Sequence, residues 1–170
     1  MSEWPLFRSS ITQGENAKPS LTIRSSADIN IALSTPTGLY TPVIRGIDSL
    51  SAYDVASQLR HIAHLGRQVP NALPPVKRSG TISFSNVGAV GQGEYAMPVL
   101  VPGGGIAIVA VGRAKWIWDV EKEEKGERRL KIGVSWAADH RVVEGAELAA
   151  FVESWRSWVE NPERMIAAAT

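Results

Sequence analysis

A chain of 170 residues, 44% hydrophobic and 21% charged, is long enough to bury one core and has the composition of a globular domain rather than a disordered one. A net charge of +1 supplies no field for nucleic acid or a membrane surface, and no apolar run is long enough to cross a bilayer. The absence of cysteine excludes disulfides, thiolate catalysis and cysteine-ligated zinc, and leaves the redox compartment unmarked.

The first stretch, MSEWPLFRSSITQGENAKPS, lacks the apolar centre of a secretory signal and makes a poor mitochondrial presequence. It reads as a flexible arm over residues 1–25, ahead of a domain spanning 26–170. SADINIALST (Ser26 to Thr35) alternates, with Ile29, Ile31 and Leu33 on one side and Asn30 and Ala32 on the other, and predicts a strand with one buried face. PTGLYTPVIRG then gives a turn at Gly38 and a second strand.

From Ser49 to Gln68, Val55, Leu59, Ile62 and Gly66 recur at helical spacing; Ser51 can cap the start and Gly66 suits the end. VPNALPPVKRSG is a proline-rich connector, TISFS a strand, and NVGAVGQGEYAMPVLVPGGG a long glycine-rich loop. IAIVAVG is apolar throughout, as a central strand buried on both faces would be. AKWIWDV and RRLKIGVSWA predict a hairpin tipped by the solvated run EKEEKGER. The last helix runs roughly from Gly145 to Asn161, with a core stripe of Leu148, Val152, Trp155 and Val159 flanked by Phe151 and Trp158. No internal repeat is visible, and the elements predict an α+β fold, a mixed sheet with helices on one face.

His140 stands where the alternation of Ile132, Val134 and Trp136 gives way to the helical period after Gly145. Such a junction holds a side chain in place and leaves it open to a ligand, and histidine is the side chain most readily poised as a base near neutral pH. His61 and His64 lie three apart on the first helix, but the local sequence adds no further ligand, so no metal site is expected. GAVGQGEY does not have the spacing of a dinucleotide fingerprint and no helix follows it, which favours loop packing over phosphate binding. The tryptophans read as core residues.

The run DHRVVEG (Asp139 to Gly145) resembles the His-Arg-x-x-Asp-Gly signature of the dihydrolipoamide acyltransferases, the E2 components of 2-oxo acid dehydrogenase complexes. Two upstream blocks resemble the same catalytic domain: GTISFSNVGAVGQGEYAMPVLVPGGGIAIVAVGRA, with its Ser-Asn-x-Gly element at Ser85 to Gly88, and ADINIALSTPTGLYTPVIRGIDSLSAYDVASQL. Three ordered blocks make a far more specific match than one short motif. The likeness is greatest to the branched-chain type. Chloramphenicol acetyltransferase shares the fold and a similar histidine motif, but not the other two blocks.

The resemblance implies a chloramphenicol-acetyltransferase-like sandwich and acyl transfer between dihydrolipoamide and coenzyme A, with no metal. His140 would take the thiol proton of coenzyme A, because the thiolate is the nucleophile. Ser85 takes the family position of the donor to the tetrahedral oxyanion, with Ser83 the rival two residues away; a strand-end serine bonded to its own backbone is the plainer reading of Ser85. Glu144 stands where the family has aspartate to hold the active-site turn, one methylene longer, and would also suit the start of the final helix. Asp139 and Arg141 are expected in structural ion pairs. The resemblance further implies a homotrimer or larger core, sites formed between chains, and a lipoyl group carried on another domain or chain. Against the family's domain the chain reads as truncated at its N-terminus, so complete E2 chains are expected partners, and a non-catalytic E2-like scaffold is the alternative function. Neither nucleic acid nor membrane is an expected partner. A eukaryotic member would work in the mitochondrial matrix, any other in the cytoplasm.

Overall fold

Alternating segments from across the chain meet in one mixed sheet, and its register fixes where each candidate residue lies. The computed structural model describes residues 3–13, 18–70, 72–73, 78–121 and 125–167. Its strands are β1 (Ser9–Gln13), β2 (Pro19–Ile23), β3 (Ile29–Ile31), β4 (Leu33–Thr35), β5 (Gly38–Tyr40), β6 (Val43–Ile44), β7 (Ile82–Asn86), β8 (Ala107–Asp119) and β9 (Glu127–Ala138). The helices are α1 (Ala52–Gly66), α2 (Gly145–Glu160) and α3 (Glu163–Ala167). The large sheet has the order β6-β3-β7-β8-β9, with β3, β7 and β8 parallel and the two edge strands antiparallel to their neighbours. This is the α+β, mixed-sheet arrangement expected.

Side chains alternate across a strand, so each row of the register belongs to one face. Ile29, Ile82, Ala107 and Ala138 form one row; Ile31, Phe84, Val109 and Trp136 form the next row on that face. Helix α2 covers this face through Phe151, whose ring stacks on Phe7 at 3.8 Å and meets Trp136 edge-on at 5.3 Å. Phe7, Ile82, Ile106, Ala107, Val143 and Phe151 make the buried cluster. The opposite face carries small and polar residues: Asn30 beside Ser83, and Ser85, Ala110 and Ser135 in one row.

Several local expectations hold for stated reasons. Ser51 caps α1 in a reciprocal box with Asp54, each satisfying the other's free backbone N–H. Gly38 turns the β4–β5 hairpin at φ 132°, a conformation closed to most side chains. The strand expected from Ser26 to Thr35 is instead two. Ala32 donates to Phe84 O as the chain leaves the large sheet, and Leu33 begins the separate β4–β5 pair.

The flexible arm expected over residues 1–25 is a second correction. Residues Pro5–Arg8 form a 3₁₀ turn, β1 and β2 pair along five residues each, and Phe7 is wholly buried. A single aromatic in an unpatterned stretch gives no periodicity, yet Phe7 and Trp4 lock the segment onto α2. The stripe on the last helix also shifts: Phe151 is its buried centre, while Val159 is half exposed because α2 runs past the sheet. Part of the proline-rich connector and of the hairpin tip, at 71, 74–77 and 122–124, lies outside the described residues.

Candidate active site

The His140 turn is tied at both ends. The backbone N–H of Asp139 donates to Ile106 O at 2.8 Å, which keeps the end of β9 beside the start of β8. Val142 and Val143 both donate to Asp139 O, at 2.9 and 3.0 Å, and the Val143 side chain is buried in the core. The guanidinium of Arg141 forks onto the Asp139 carboxylate, Nε at 2.9 Å from Oδ1 and NH2 at 2.6 Å from Oδ2. That fork holds the Asp139 carboxyl below its ordinary value and raises Arg141 above its own. The expected ion pair between these two is present, and it braces the turn on either side of His140.

His140 itself projects to solvent, its side chain 76% exposed. Its Nδ1 is 3.8 Å from Glu144 Oε2, within ion-pair reach but too long for a hydrogen bond. Glu144 occupies the N-cap of α2 without making a side-chain cap bond, so its carboxylate is left free to face the imidazole.

Ser85 and Ser83 share a face of β7 but differ in what holds them. The Ser83 hydroxyl donates to Gly104 O at 2.6 Å and accepts from Asn30 Nδ2 at 3.1 Å; the residue is buried. The Ser85 hydroxyl makes no hydrogen bond among the described residues and is only half-buried. The glycine-rich loop lies over the same face: Arg113 N donates to Gly93 O, and Glu94 O presses so close to Gly112 and Gly133 that a Cβ at either would collide with it.

His140 and Ser85 do not meet within one chain. Ala138, Ala107 and Ile82 are level across β9, β8 and β7; His140 follows Ala138 off one end, and Ser85 lies three residues toward the other. Two strand spacings of ~4.8 Å and three residues at ~3.3 Å put them at least ~14 Å apart. His61 and His64 are exposed on α1, and no cluster of three potential metal ligands occurs among the described residues. Sequence reasoning passed over a group of arginines, Arg24, Arg78 and Arg141, that line a cleft beside the turn. They come from three distant segments, and no local pattern announces them.

The profile of the 2-oxoacid dehydrogenases acyltransferase (catalytic domain) family matches residues 1–167. The chain belongs to that family. Among its relatives is the mouse (Mus musculus) lipoamide acyltransferase component of the branched-chain alpha-keto acid dehydrogenase complex, a mitochondrial protein, 32% identical over 164 residues. That match covers 96% of this chain and 33% of the relative, so the chain spans about a third of the length of the curated relatives it matches. The cubic core of the pyruvate dehydrogenase multienzyme complex superposes with a TM-score of 0.77 at 25% identity, covering 96% of this chain and 65% of that one. Azotobacter vinelandii dihydrolipoamide acetyltransferase gives a TM-score of 0.76 at 24% identity, with 96% and 65% covered. That structure was studied for the roles in catalysis of a serine, a histidine and an asparagine four residues beyond the histidine. The family's acyltransferase sandwich is thus the fold of this chain.

Proposed function

We propose that this chain transfers an acyl group between dihydrolipoamide and coenzyme A, with His140 as base and Ser85 as oxyanion donor. Membership of the acyltransferase family supports the reaction class. The assignment of roles rests on one observation above all: a braced, solvent-facing histidine just past the end of β9 and an unengaged serine hydroxyl on β7 are set apart in the same sheet. A base and an oxyanion donor must both come within about 3 Å of the reacting atoms, and a backbone separation of ~14 Å within one chain works against that. Two copies of the chain resolve the conflict, one giving the histidine and its neighbour the serine. Closed threefold symmetry makes every such junction equivalent. The cubic core of a related complex agrees with assembly of this kind.

In this reading His140 accepts the thiol proton, the thiolate attacks the thioester carbonyl, and the Ser85 hydroxyl donates to the oxyanion; collapse of the tetrahedral intermediate breaks the original carbon–sulfur bond, and His140 returns its proton to the departing thiolate. Glu144 follows the histidine by four residues, as the asparagine does in the Azotobacter enzyme, and its carboxylate faces Nδ1, leaving Nε2 for the proton. Ser83 is unsuited to the donor role because its proton already goes to Gly104. The lipoyl group arrives on another domain or chain, and the complex is a 2-oxo acid dehydrogenase complex, mitochondrial in a eukaryote. The loose contact between His140 and Glu144 favours the second reading, a non-catalytic scaffold within such a core. Acyl transfer from acyl-CoA to dihydrolipoamide decides between them. His140→Ala should lower the rate by about 10²–10⁴-fold. An unaltered rate in that variant would overturn the mechanism, and an inactive parent chain would support the scaffold.

A further inference from the structure

The six tryptophans, all expected in the core, fall into two groups. Trp4, Trp136, Trp155 and Trp158 line an apolar groove of about 320 Å³ between α2 and the sheet, floored by Phe84 and Val109. Trp116 and Trp118 stand out on the far half of the β8–β9 hairpin, each more than half exposed.

That half of the hairpin is an arm. β7 ends at Asn86, level with Val111, and beyond it β8 and β9 pair only with each other. Register separates the two faces of the arm. On one, Trp118 lies opposite Arg128, Trp116 opposite Leu130 and Ala114 opposite Ile132, and both aliphatic partners are half exposed. The other face is satisfied within the chain, Lys115 on Glu94 at 2.8 Å and Lys131 on the buried Asp119 at 3.0 Å. Paired charges on one face and bare tryptophans on the other leave an apolar surface to be covered. Both rings are held in place. Arg128 lies 5.0 Å over Trp116, and Trp118 rests so close on Gly126 that a Cβ there would collide with it. Preorganised aromatic anchors lose little entropy on docking. Two tryptophans, each able to bury ~150–250 Å², supply a good part of the ~800 Å² that one partner gives a standard interface.

The groove complements the arm in two ways. Nε1 of Trp4 and Nε1 of Trp136 are buried without a hydrogen-bond partner among the described residues. The outer edges of a two-stranded ribbon carry free carbonyls at alternate residues, the acceptors that these donors lack. Glu3 is the one charged residue lining the groove, and Arg128 is the one charge on the apolar face of the arm. Their signs are opposite, and neither is in an ion pair among the described residues.

We propose that the arm of one copy seats in the groove of a second copy of this chain, with Trp116 and Trp118 against the groove's tryptophans and Arg128 beside Glu3. The arm leaves the sheet at the end toward which Ser85 lies, the end that must approach a neighbour's histidine. The contact itself stands on residues outside the acyl-transfer reading and does not depend on it.

Sedimentation equilibrium of the purified chain tests this, with far-ultraviolet dichroism and melting temperature confirming that each variant folds. The parent should self-associate with a Kd below ~100 μM, and Trp118→Lys on the arm and Trp158→Glu in the groove should each weaken association at least ~10-fold, the scale of a lost interface anchor. Arg60→Gln, on α1, should leave association unchanged. Arg128→Glu and Glu3→Arg should each weaken it ~3-fold or more, and the two together should recover it to within ~2-fold of the parent, because only facing residues can exchange charge. Association that withstands either tryptophan substitution would overturn the proposal, since the copies would then meet elsewhere. So would a charge exchange that restores nothing. A parent that stays monomeric at ~100 μM would overturn it as well, and Nile red binding lost in Trp158→Glu would then mark the groove as a small-ligand site.

Discussion

If the histidine and serine act across a junction between chains, two inactive variants should restore each other. His140→Ala keeps a sound serine and Ser85→Ala a sound histidine. After subunit exchange at equal concentrations, three quarters of random trimers are mixed, by the statistics of a closed threefold ring. Each mixed trimer, whatever its composition, has one junction with an intact histidine facing an intact serine. About one quarter of all sites therefore recovers, against none in either variant alone. Both substitutions fall outside the buried cluster, so the variants should fold. The assay is acyl transfer before and after exchange, with mixed trimers verified by native mass spectrometry. A gain to about a quarter of the parent rate is expected. No gain in verified mixed trimers would refute the two-chain site, and with it the inference from the ~14 Å separation, since a site within one chain cannot be repaired by mixing.

Phe151→Ala should cost about 3–5 kcal/mol, because it removes a buried ring stacked on Phe7 and edge-on to Trp4 and Trp136; urea unfolding at fixed protein concentration measures this. Asp139 has its carboxyl held below the ordinary 3.8, so the stability it lends the turn is complete above that value and is lost as pH falls through the lowered one. Hydrogen exchange at Val142 and Val143 should accordingly show protection lost below about pH 4, and Asp139→Asn should abolish that pH dependence. Glu144→Asp, which restores the length typical of the family, should leave transfer equal or faster; a folded variant with a markedly lower kcat would show the turn is built around glutamate.

What could be read from the chain before its fold was known depended on whether the cause was local. The Ser51 cap, the Gly38 turn and the β8–β9 hairpin are each set by a few adjacent residues, and each was legible. His140 was legible because a change of period marks its junction. Phe7 was not, since its burial is decided by Phe151, far along the chain. The choice between Ser83 and Ser85 was open for the same reason. Both sit on one face of β7, and Asn30 and Gly104, brought in by fold and register, bond to Ser83 alone of the two. The arginine cleft was the least legible of all, because its three cations share neither an element nor a spacing.

The parallel pairing of β3 with β7 joins Ile29 to Ile82, with β4, β5, β6 and α1 lying in the chain between them. Closing so long a loop costs entropy before any contact rewards it, and topologies of this kind fold slowly. The β8–β9 hairpin, by contrast, joins residues close in sequence and can form early. β7 pairs with β8 on one side and with β3 on the other. Asn30, which fastens the serine strand to Gly80, arrives with β3. The network around Ser83 therefore depends on the long-range pairing of β3 with β7. A chain in which β3 has not paired with β7 would carry the sequence of that network without its geometry.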